Sequence, residues 1–416
     1  MKRKCRFFII LLLVFCLITN GLAAENDTTE TTQTEQVDET QATEANPTPQ
    51  FLVSAKAAVL IEAETGNTVY AMNENEPLPI ASITKIMTML LVMEAVDSGK
   101  MSLNDTVTIS SYACKMGGTQ VYLKEGEIFT VEELLKAVAV HSANDAAVAL
   151  AEKVSGSEES FVQLMNERAG QLKMKNTKFL DATGLTDEGH FSSALDISIM
   201  ARELLVNHPR IVYYTTIWHD SFRDGKFDLD NTNKLVNRYN GITGLKTGFT
   251  NKAGFCLAAS AERNGTKLIS VVLGSDNNDM RFSESAKLLD FGFANWETAK
   301  IEKKGLSAGT VIVKKGITAE VPLVYSENAV ILVKKGKKDK LVENMEIPAN
   351  INAPVEAGQV VGVLNIELDG NRLASIPITA ANESKRCNFG LMLGTLTKKW
   401  TQLFCSCPAE TENESK

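Results

Sequence analysis

The sequence predicts an α+β domain, in which an antiparallel sheet accompanies a helical middle part, followed by a small all-β domain. Hairpin patterns occur at both ends of residues 51–295, and helical patterns fill the interval between them. Short β-prone runs separated by Gly, Asn and Lys then occupy residues 296–384. The chain of 416 residues is 44% hydrophobic and 23% charged, which excludes a largely disordered chain and a polytopic membrane protein.

Residues 1–23 have the pattern of a secretory signal peptide. Basic side chains occupy positions 2, 3, 4 and 6, residues 7–18 are apolar, and Gly21-Leu22-Ala23 offers small residues for cleavage. The apolar run is short for a bilayer span, which favours a cleaved signal over the alternative of an uncleaved anchor helix. We therefore expect an exported protein.

Residues 24–50 predict a disordered acidic linker. They consist largely of Thr, Glu, Gln and Asp with two prolines and without Lys or Arg. Such a segment cannot bury enough apolar surface to offset the entropy lost on ordering. We assign no chemistry to it.

The elements of residues 51–295 follow from their local patterns. A hairpin comes first, with strands over Ala57–Ala63 and Thr68–Ala71. Four helical patterns follow over Ser82–Val96, Val131–Val154, Glu158–Leu172 and Ala194–Val206. Strands return over Gly254–Ala261 and Lys267–Gly274, joined by Asn264-Gly265, and a helix over Phe282–Phe293 closes the domain. Because Asn-Gly favours a two-residue hairpin, we expect antiparallel pairing.

Residues 296–384 predict a small β-rich domain. Its clearest strand patterns are Gly309–Val313, Ala329–Val333 and Gln359–Leu364. No cluster of titratable residues suggests catalysis there, so we expect a spacer or interaction role.

Residues 385–407 predict an amphipathic helix, and residues 408–416 a polar tail. Apolar residues recur at helical spacing along one face, namely Phe389, Leu393, Leu396, Trp400 and Leu403. With Lys398 and Lys399 beside them, they suit a helix lying in a membrane interface. The alternative is a helix that packs on its own domain.

Charge and cysteine usage exclude other classes of function. The net charge of −8 argues against a nucleic-acid partner. The seven cysteines include no C-x-x-C pair and there are four histidines, so we predict no metal site. Cys114 and Cys256 are better explained as small buried side chains than as a disulfide, although a bridge stays open.

Ser82 and Lys85 form the first of three short motifs, at the start of the first helical pattern. A separation of three places both side chains on one helical face, one turn apart. A serine hydroxyl needs a base to take its proton, and lysine can serve if burial or a nearby cation lowers its pKa. Ser-x-x-Lys by itself is a weak signal.

Two further motifs follow along the chain. Ser142-Ala143-Asn144 interrupts an apolar helical stretch, where buried polar side chains need hydrogen-bond partners. Lys246-Thr247-Gly248 begins a β run, and its Lys and Thr suit an anionic substrate group while its Gly allows close approach of a substrate backbone. Taken separately, neither motif identifies a site.

The three motifs together, in this order, are typical of class A β-lactamases and penicillin-binding proteins. The chain resembles the D-alanyl-D-alanine carboxypeptidases, the low-molecular-mass penicillin-binding proteins of bacterial cell walls, over roughly residues 51–405. Segments within 176–196, 244–254 and 281–293 add to the resemblance. It implies a fold like that of β-lactamases and penicillin-binding proteins, and an enzyme without a cofactor.

The resemblance implies a serine acyl-enzyme mechanism. Ser82 attacks the carbonyl of the penultimate D-alanine in a peptidoglycan stem pentapeptide, and Lys85 acts as general base. Ser142 relays the proton to the leaving D-alanine nitrogen, and Lys246 holds a positive charge that keeps Lys85 partly neutral. Water then hydrolyses the acyl-enzyme, and β-lactam antibiotics acylate the same serine.

The resemblance also implies which residues bind the substrate. Backbone N–H groups of Ser82 and Phe249 form the oxyanion hole, although some relatives carry His at the position of Phe249. Asn144 hydrogen-bonds the substrate amide, and Thr247 and Arg281 bind the terminal carboxylate. Export and the C-terminal helix predict peripheral attachment to the outer face of the bacterial cytoplasmic membrane.

Three alternatives differ in what they require of the sequence. A class A β-lactamase would carry Glu-x-x-Leu-Asn near position 178, which is Lys178, and Ser-Asp-Asn as its second motif. An inactive penicillin-binding wall protein would lack Ser82, Lys85 or Lys246, and all three are present. A D,D-endopeptidase or transpeptidase using the same chemistry stays open, because the acceptor cannot be read from the motifs.

Overall fold

The computed structural model describes residues 53–186 and 188–404, so the predicted signal peptide, acidic linker and polar tail lie outside it. The helices are α1 Lys85–Asp97, α2 Val131–Lys136, α3 Asn144–Ser155, α4 Glu158–Gln171, α5 Ala194–Asn207, α6 Ile211–Thr215, α7 Asn278–Asn295 and α8 Phe389–Phe404. The first nine strands are β1 Ala57–Glu62, β2 Thr68–Met72, β3 Thr106–Thr108, β4 Ile128–Thr130, β5 His219–Phe222, β6 Phe227–Asp230, β7 Ile242–Thr250, β8 Gly254–Arg263 and β9 Thr266–Ser275. The remaining strands are β10 Trp296–Ile301, β11 Ser307–Lys314, β12 Glu320–Tyr325, β13 Ala329–Lys334, β14 Val342–Glu346, β15 Asn350–Asn352, β16 Val360–Leu368 and β17 Asn371–Ala380.

A five-stranded antiparallel sheet in the order β2-β1-β9-β8-β7 is the centre of the first domain. Both predicted hairpins are present in it. The turn between β8 and β9 holds Asn264 and Gly265 at φ values of 52° and 78°. Positive φ at both residues is the geometry by which a two-residue turn matches the right-handed twist of the two strands. The sheet therefore joins the N-terminal hairpin to strands that follow about two hundred residues later in the sequence. Such long-range pairing is common in α+β domains.

Strand β1 shows how the sheet is covered on both faces. Ala57, Val59 and Ile61 pack in the cluster that contains α1 and α5. Ala58 and Leu60, which point the opposite way along the strand, pack in a second cluster with α7. All of these side chains are buried, which explains why the strand reads as a continuous apolar run instead of an alternating one.

The prediction of one helix over Val131–Val154 is wrong. The helix α2 ends at Lys136, a π-helical turn spans Ala137–His141, and Ser142 adopts a left-handed φ of 68° before α3 begins. The physical reason is a set of hydrogen bonds with a neighbouring loop. The backbone N–H of Asn144 donates to Thr119 O at 2.8 Å, and the Asp145 carboxylate accepts from the N–H groups of Val121 and Leu123 at 3.2 and 3.0 Å.

The second domain is all-β, as predicted. Six strands pair in the order β14-β16-β17-β12-β11-β15, and β10 pairs with β13. The predicted runs at Gly309–Val313, Ala329–Val333 and Gln359–Leu364 fall on β11, β13 and β16. This domain has its own apolar core, in which Val321, Leu323, Ile366, Ile376 and Ile378 are fully buried.

The predicted C-terminal helix is α8. Four members of its apolar stripe, Phe389, Leu393, Leu396 and Trp400, are each more than half exposed, and the side chain of Leu403 is outside those described. Within the described part of the chain, no helix has the length and apolar character needed to cross a bilayer.

We expect Gly292→Val to destabilise the first domain by overpacking. A Cβ at Gly292 of α7 would lie 2.4 Å from Leu268 Cδ1 and 2.9 Å from Leu60 Cδ2, both in the sheet core. Thermal or denaturant unfolding should show a loss of about 1–3 kcal/mol. Gly170→Val in α4 is the matched control, since no described heavy atom lies within 4 Å of a Cβ there. Equal losses in the two variants would contradict this packing.

Candidate active site

Ser82 and Lys85 are in contact at the junction of two helical segments. A single 3₁₀ turn over Ala81–Thr84 presents Ser82, and α1 begins at Lys85. The Lys85 amine is fully buried and donates to Ser82 Oγ at 2.9 Å and to the carbonyl oxygen of Thr183 at 2.8 Å. The one-turn spacing of the motif thus brings a hydroxyl and an amine within hydrogen-bond distance.

The Lys85 amine has an unusual protonation equilibrium. Burial lowers its pKa to about 7, and the carboxylates of Asp181 and Asp145 oppose that shift. Close to neutral pH, a substantial fraction of the amine is therefore unprotonated and can accept a proton from the serine hydroxyl.

The second motif places Ser142 in the break between α2 and α3, and Asn144 at the first position of α3. Ser142 is nearly buried in its left-handed conformation. The Asn144 side-chain amide donates to Gly117 O at 2.7 Å. Its buried Oδ1 accepts no hydrogen bond from the described residues. A donor from a substrate amide would satisfy that oxygen.

The third motif lies on β7, the edge strand of the central sheet. A Cβ at Gly248 would lie 2.7 Å from the carbonyl oxygen of Ile80, so only glycine lets the strand pass this close to the Ser82 turn. Lys246 is buried and its amine donates to Thr247 O at 3.0 Å. The Thr247 hydroxyl donates to Thr232 Oγ1 at 2.7 Å.

The cause of the low pKa of Lys85 differs from the one expected. We expected the charge of Lys246 to keep Lys85 partly neutral, but burial is the first cause of the shift. Burial also lowers the pKa of Lys246 well below its usual value, and the positive charges of Lys85 and Arg281 lower it further. Protonating one buried amine therefore disfavours protonating the other.

Phe249 lies near the end of β7, and the side chain of Arg281 reaches the same strand from α7. The Arg281 guanidinium donates to Gly248 O at 2.9 Å, to Cys256 O at 3.3 Å and to Asn278 Oδ1 at 2.6 Å. Burial lowers its pKa to about 10, where it keeps its charge at neutral pH. The half-exposed ring of Phe249 stacks on Phe255 with 4.4 Å between centroids.

The segment from Asp181 to Thr186 is a part of the site that the motif analysis missed. The Asp181 carboxylate accepts from the backbone N–H groups of Thr183, Gly184 and Thr186 at 2.7, 2.5 and 2.9 Å, which turns Thr183 O toward Lys85. Although burial opposes it, hydrogen bonds from the Thr186 side chain and from the backbone of Thr186 and Thr183 lower the pKa of Asp181 to about 2. Asp181-Ala182-Thr183-Gly184 carries the Asp and Gly typical of a turn, a signal that could have identified the segment.

Glycine is required at position 184. Its φ is 80°, and a Cβ there would lie 1.8 Å from the carbonyl oxygen of Ala81. The segment therefore packs directly on the turn that carries Ser82.

Two other groups of reactive side chains lie outside the three motifs. Glu94, Glu203 and His208 are close enough to share a cation, but Arg168 already pairs with both carboxylates at 2.7 Å. The thiols of Cys114 and Cys256 are free, Cys256 being buried and Cys114 half-buried. The proposed alternative of a disulfide between them is therefore wrong.

Comparisons with known proteins agree with this geometry. The family described as D-alanyl-D-alanine carboxypeptidase matches residues 40–277, and the family described as penicillin-binding protein 5, C-terminal domain, matches residues 296–386. D-alanyl-D-alanine carboxypeptidase DacF of Bacillus subtilis is 44% identical over 359 residues, which cover 85% of this chain and 92% of that protein.

Solved structures show the same fold. Penicillin-binding protein 5 of Haemophilus influenzae superimposes with a TM-score of 0.73 at 33% identity, over 82% of this chain and 100% of that one. Penicillin-binding protein D2 of Listeria monocytogenes in its ampicillin-bound form gives a TM-score of 0.54 at 33% identity, over 59% of this chain and 100% of that one. The chain therefore belongs to the D-alanyl-D-alanine carboxypeptidase family of low-molecular-mass penicillin-binding proteins and is a serine-type D-Ala-D-Ala carboxypeptidase.

Proposed function

We propose that the enzyme removes the terminal D-alanine from peptidoglycan stem pentapeptides through an acyl-enzyme on Ser82. The observation that carries the proposal is the 2.9 Å contact between Ser82 Oγ and the buried amine of Lys85, whose pKa is about 7. A hydroxyl beside a partly neutral amine has the base that a serine nucleophile requires.

Acylation transfers one proton and exchanges one bond. The Lys85 amine takes the hydroxyl proton as Ser82 Oγ bonds to the carbonyl carbon of the penultimate D-alanine. The bond from that carbon to the terminal D-alanine nitrogen breaks, and Ser142 relays a proton to the leaving nitrogen. Water then adds to the ester carbonyl, Ser82 Oγ leaves with a proton, and the shortened peptide is released as a carboxylate.

Residues around Ser82 are assigned to substrate binding. The backbone N–H groups of Ser82 and Phe249 hold the developing oxyanion, and Gly248 leaves room for the substrate backbone beside β7. Asn144 pairs with the substrate amide. Thr247 and Arg281 bind the terminal carboxylate, for which Arg281 exchanges its bond to Asn278 for one to the substrate.

The same machinery supports two related activities. A D,D-endopeptidase or transpeptidase forms the same acyl-enzyme and differs in the leaving group or in the acceptor that replaces water. The match of the chain to carboxypeptidases along most of its length favours release of D-alanine into water. We infer by similarity to the ampicillin-bound relative that β-lactams acylate Ser82.

We further propose where the enzyme acts and how its parts divide the work. Residues 51–295 carry the catalytic groups, residues 296–384 act as a spacer, and α8 attaches the enzyme to the outer face of the cytoplasmic membrane after export. The exposed stripe of Phe389, Leu393, Leu396 and Trp400, with Lys398 and Lys399, supports interfacial attachment to anionic lipid.

Ser82→Ala tests the nucleophile. The variant should no longer be labelled by a fluorescent penicillin, because it lacks the hydroxyl that lies 2.9 Å from the Lys85 amine. It should also release no D-alanine from a pentapeptide, whereas the wild type releases free D-alanine in excess over cross-linked product. Labelling of Ser82→Ala at the wild-type rate would refute the assignment, and a dominance of cross-linked product would favour the transpeptidase.

The two buried lysines should respond differently to replacement by arginine. Lys85→Arg should abolish penicillin acylation, because arginine stays protonated and cannot act as base. Lys246→Arg keeps the cation and should retain partial activity. In the wild type, acylation should rise as the pH increases through about 7, since deprotonation of Lys85 creates the base. Equal losses in both variants, or a flat pH profile, would contradict the division of roles.

The terminal helix should control membrane binding without affecting turnover. A chain ending at Ser384 should release D-alanine from soluble substrate at the full-length rate but no longer sediment with anionic vesicles. Leu396→Glu should weaken sedimentation by placing a charge in the stripe, and Thr401→Glu, further from the stripe on the helix surface, is its control. Equal vesicle binding by truncated and full-length protein would show that the helix is not the anchor.

A further inference from the structure

His190 is a buried side chain that the mechanism above does not use. It is 2% exposed and lies four residues after the segment from Asp181 to Thr186. Its Nε2 lies 2.8 Å from the hydroxyl of Thr84, which lies between Ser82 and Lys85 in the sequence. Its Nδ1 lies 3.2 Å from the backbone nitrogen of Leu180. The ring therefore connects this segment to the first motif.

The direction of these hydrogen bonds follows from their chemistry. The backbone N–H of Leu180 can only donate, so Nδ1 of His190 accepts. A neutral imidazole then carries its proton on Nε2 and donates it to Thr84 Oγ1. The Thr84 hydroxyl in turn donates to the carbonyl oxygen of Ala81 at 2.8 Å. The result is a chain of donors that ends on the residue before Ser82.

This series of hydrogen bonds reaches the nucleophile through Ala81, the residue before Ser82. The φ of Ala81 is 48°, a left-handed conformation that is unfavourable for a residue with a Cβ. Such a conformation persists only where neighbouring contacts fix it. The bond from Thr84 and the close packing of Gly184 both bear on the Ala81 carbonyl oxygen.

The surroundings of the ring fix its orientation. Phe179 packs edge-on at 5.7 Å between centroids. The Asp181 carboxylate, which holds the turn that presents Thr183 O to Lys85, lies 3.7 Å from Nδ1. The histidine thus lies next to both parts of the site: Thr84, which bonds to Ala81 O, and the Asp181 turn, which presents Thr183 O to Lys85.

We propose that His190 is a positioning residue for acylation. As the Nε2–H tautomer it orients the Thr84 hydroxyl onto Ala81 O, and so fixes the turn that presents Ser82 Oγ to Lys85 Nζ. The inference rests on the proposed role of Ser82 as nucleophile. It assigns to Thr84 and His190 an effect on the rate of acylation, beyond their contribution to the stability of the fold.

Two conservative variants separate the two bonds of the ring. The amide nitrogen of His190→Gln reaches the position of Nε2 and keeps the donor to Thr84, whereas the amide oxygen of His190→Asn replaces Nδ1 and keeps only the acceptor for Leu180. Loss of one hydrogen bond of about 1 kcal/mol corresponds to roughly a five- to tenfold fall in rate. We expect that fall in the acylation rate of His190→Asn with fluorescent penicillin, and a fall of less than about threefold in His190→Gln.

A double-mutant cycle distinguishes positioning from general stabilisation. Thr84→Val removes the same link, so its effect on acylation should not add to that of His190→Asn. His208→Asn is a matched control, since His208 bonds to Asp97 at 2.6 Å outside the motifs, and it should acylate at the wild-type rate. Melting temperatures of all variants are recorded alongside, because a merely structural role would make rate losses follow stability losses.

The outcomes are separable. Equal acylation by the Asn and Gln variants, or additive effects in the cycle, would overturn the role of His190. If His190→Asn does not fold, Thr84→Ser and Thr84→Val decide instead: the serine keeps the hydroxyl and should exceed the valine severalfold, and equal rates would overturn the proposal. Penicillin labelling of Ser82→Ala would instead refute the proposed function itself.

Discussion

The buried amine of Lys85 is the feature on which the rest of the site depends. An ammonium group without water is unfavourable, so burial lowers the pKa of this lysine to about 7 and leaves a base beside Ser82. The negative charges of Asp181 and Asp145 oppose this lowering of the pKa. The carbonyl of Thr183 then fixes where the amine points. In the proposed mechanism, activation of Ser82 thus follows from burial of Lys85 balanced by two carboxylates.

Those two carboxylates also organise the backbone around the lysine. Asp145 accepts from the loop at Val121 and Leu123, and Asp181 accepts from the turn at Thr183 and Gly184. Each therefore serves both as a structural hydrogen-bond acceptor and as a source of electrostatic potential at Lys85. A single substitution at either position would alter both properties, which makes these residues poor probes of one role alone.

The proposed catalytic residues and the C-terminal elements are held in place by different sets of contacts. The contacts of Ser82, Lys85 and Lys246 all lie within the first domain, whereas the second domain has its own apolar core. The terminal helix α8 exposes its apolar stripe instead of burying it. Under the proposed function, this arrangement places the chemistry and the membrane attachment in different parts of one chain.

Local patterns in the sequence determined the α+β class, both hairpins of the central sheet, the β-rich second domain and the amphipathic character of α8. The resemblance carried by the three motifs led to the family. Only the tertiary structure decided that the helix predicted over Val131–Val154 breaks at Ser142, that Arg281 bonds to Gly248 and Asn278, and that the Asp181 turn faces Lys85. The physical reason is range: periodicity and turn chemistry act between near neighbours in sequence. The break at Ser142 and the pKa of Lys85 depend instead on hydrogen bonds and burial supplied by segments that are distant along the chain.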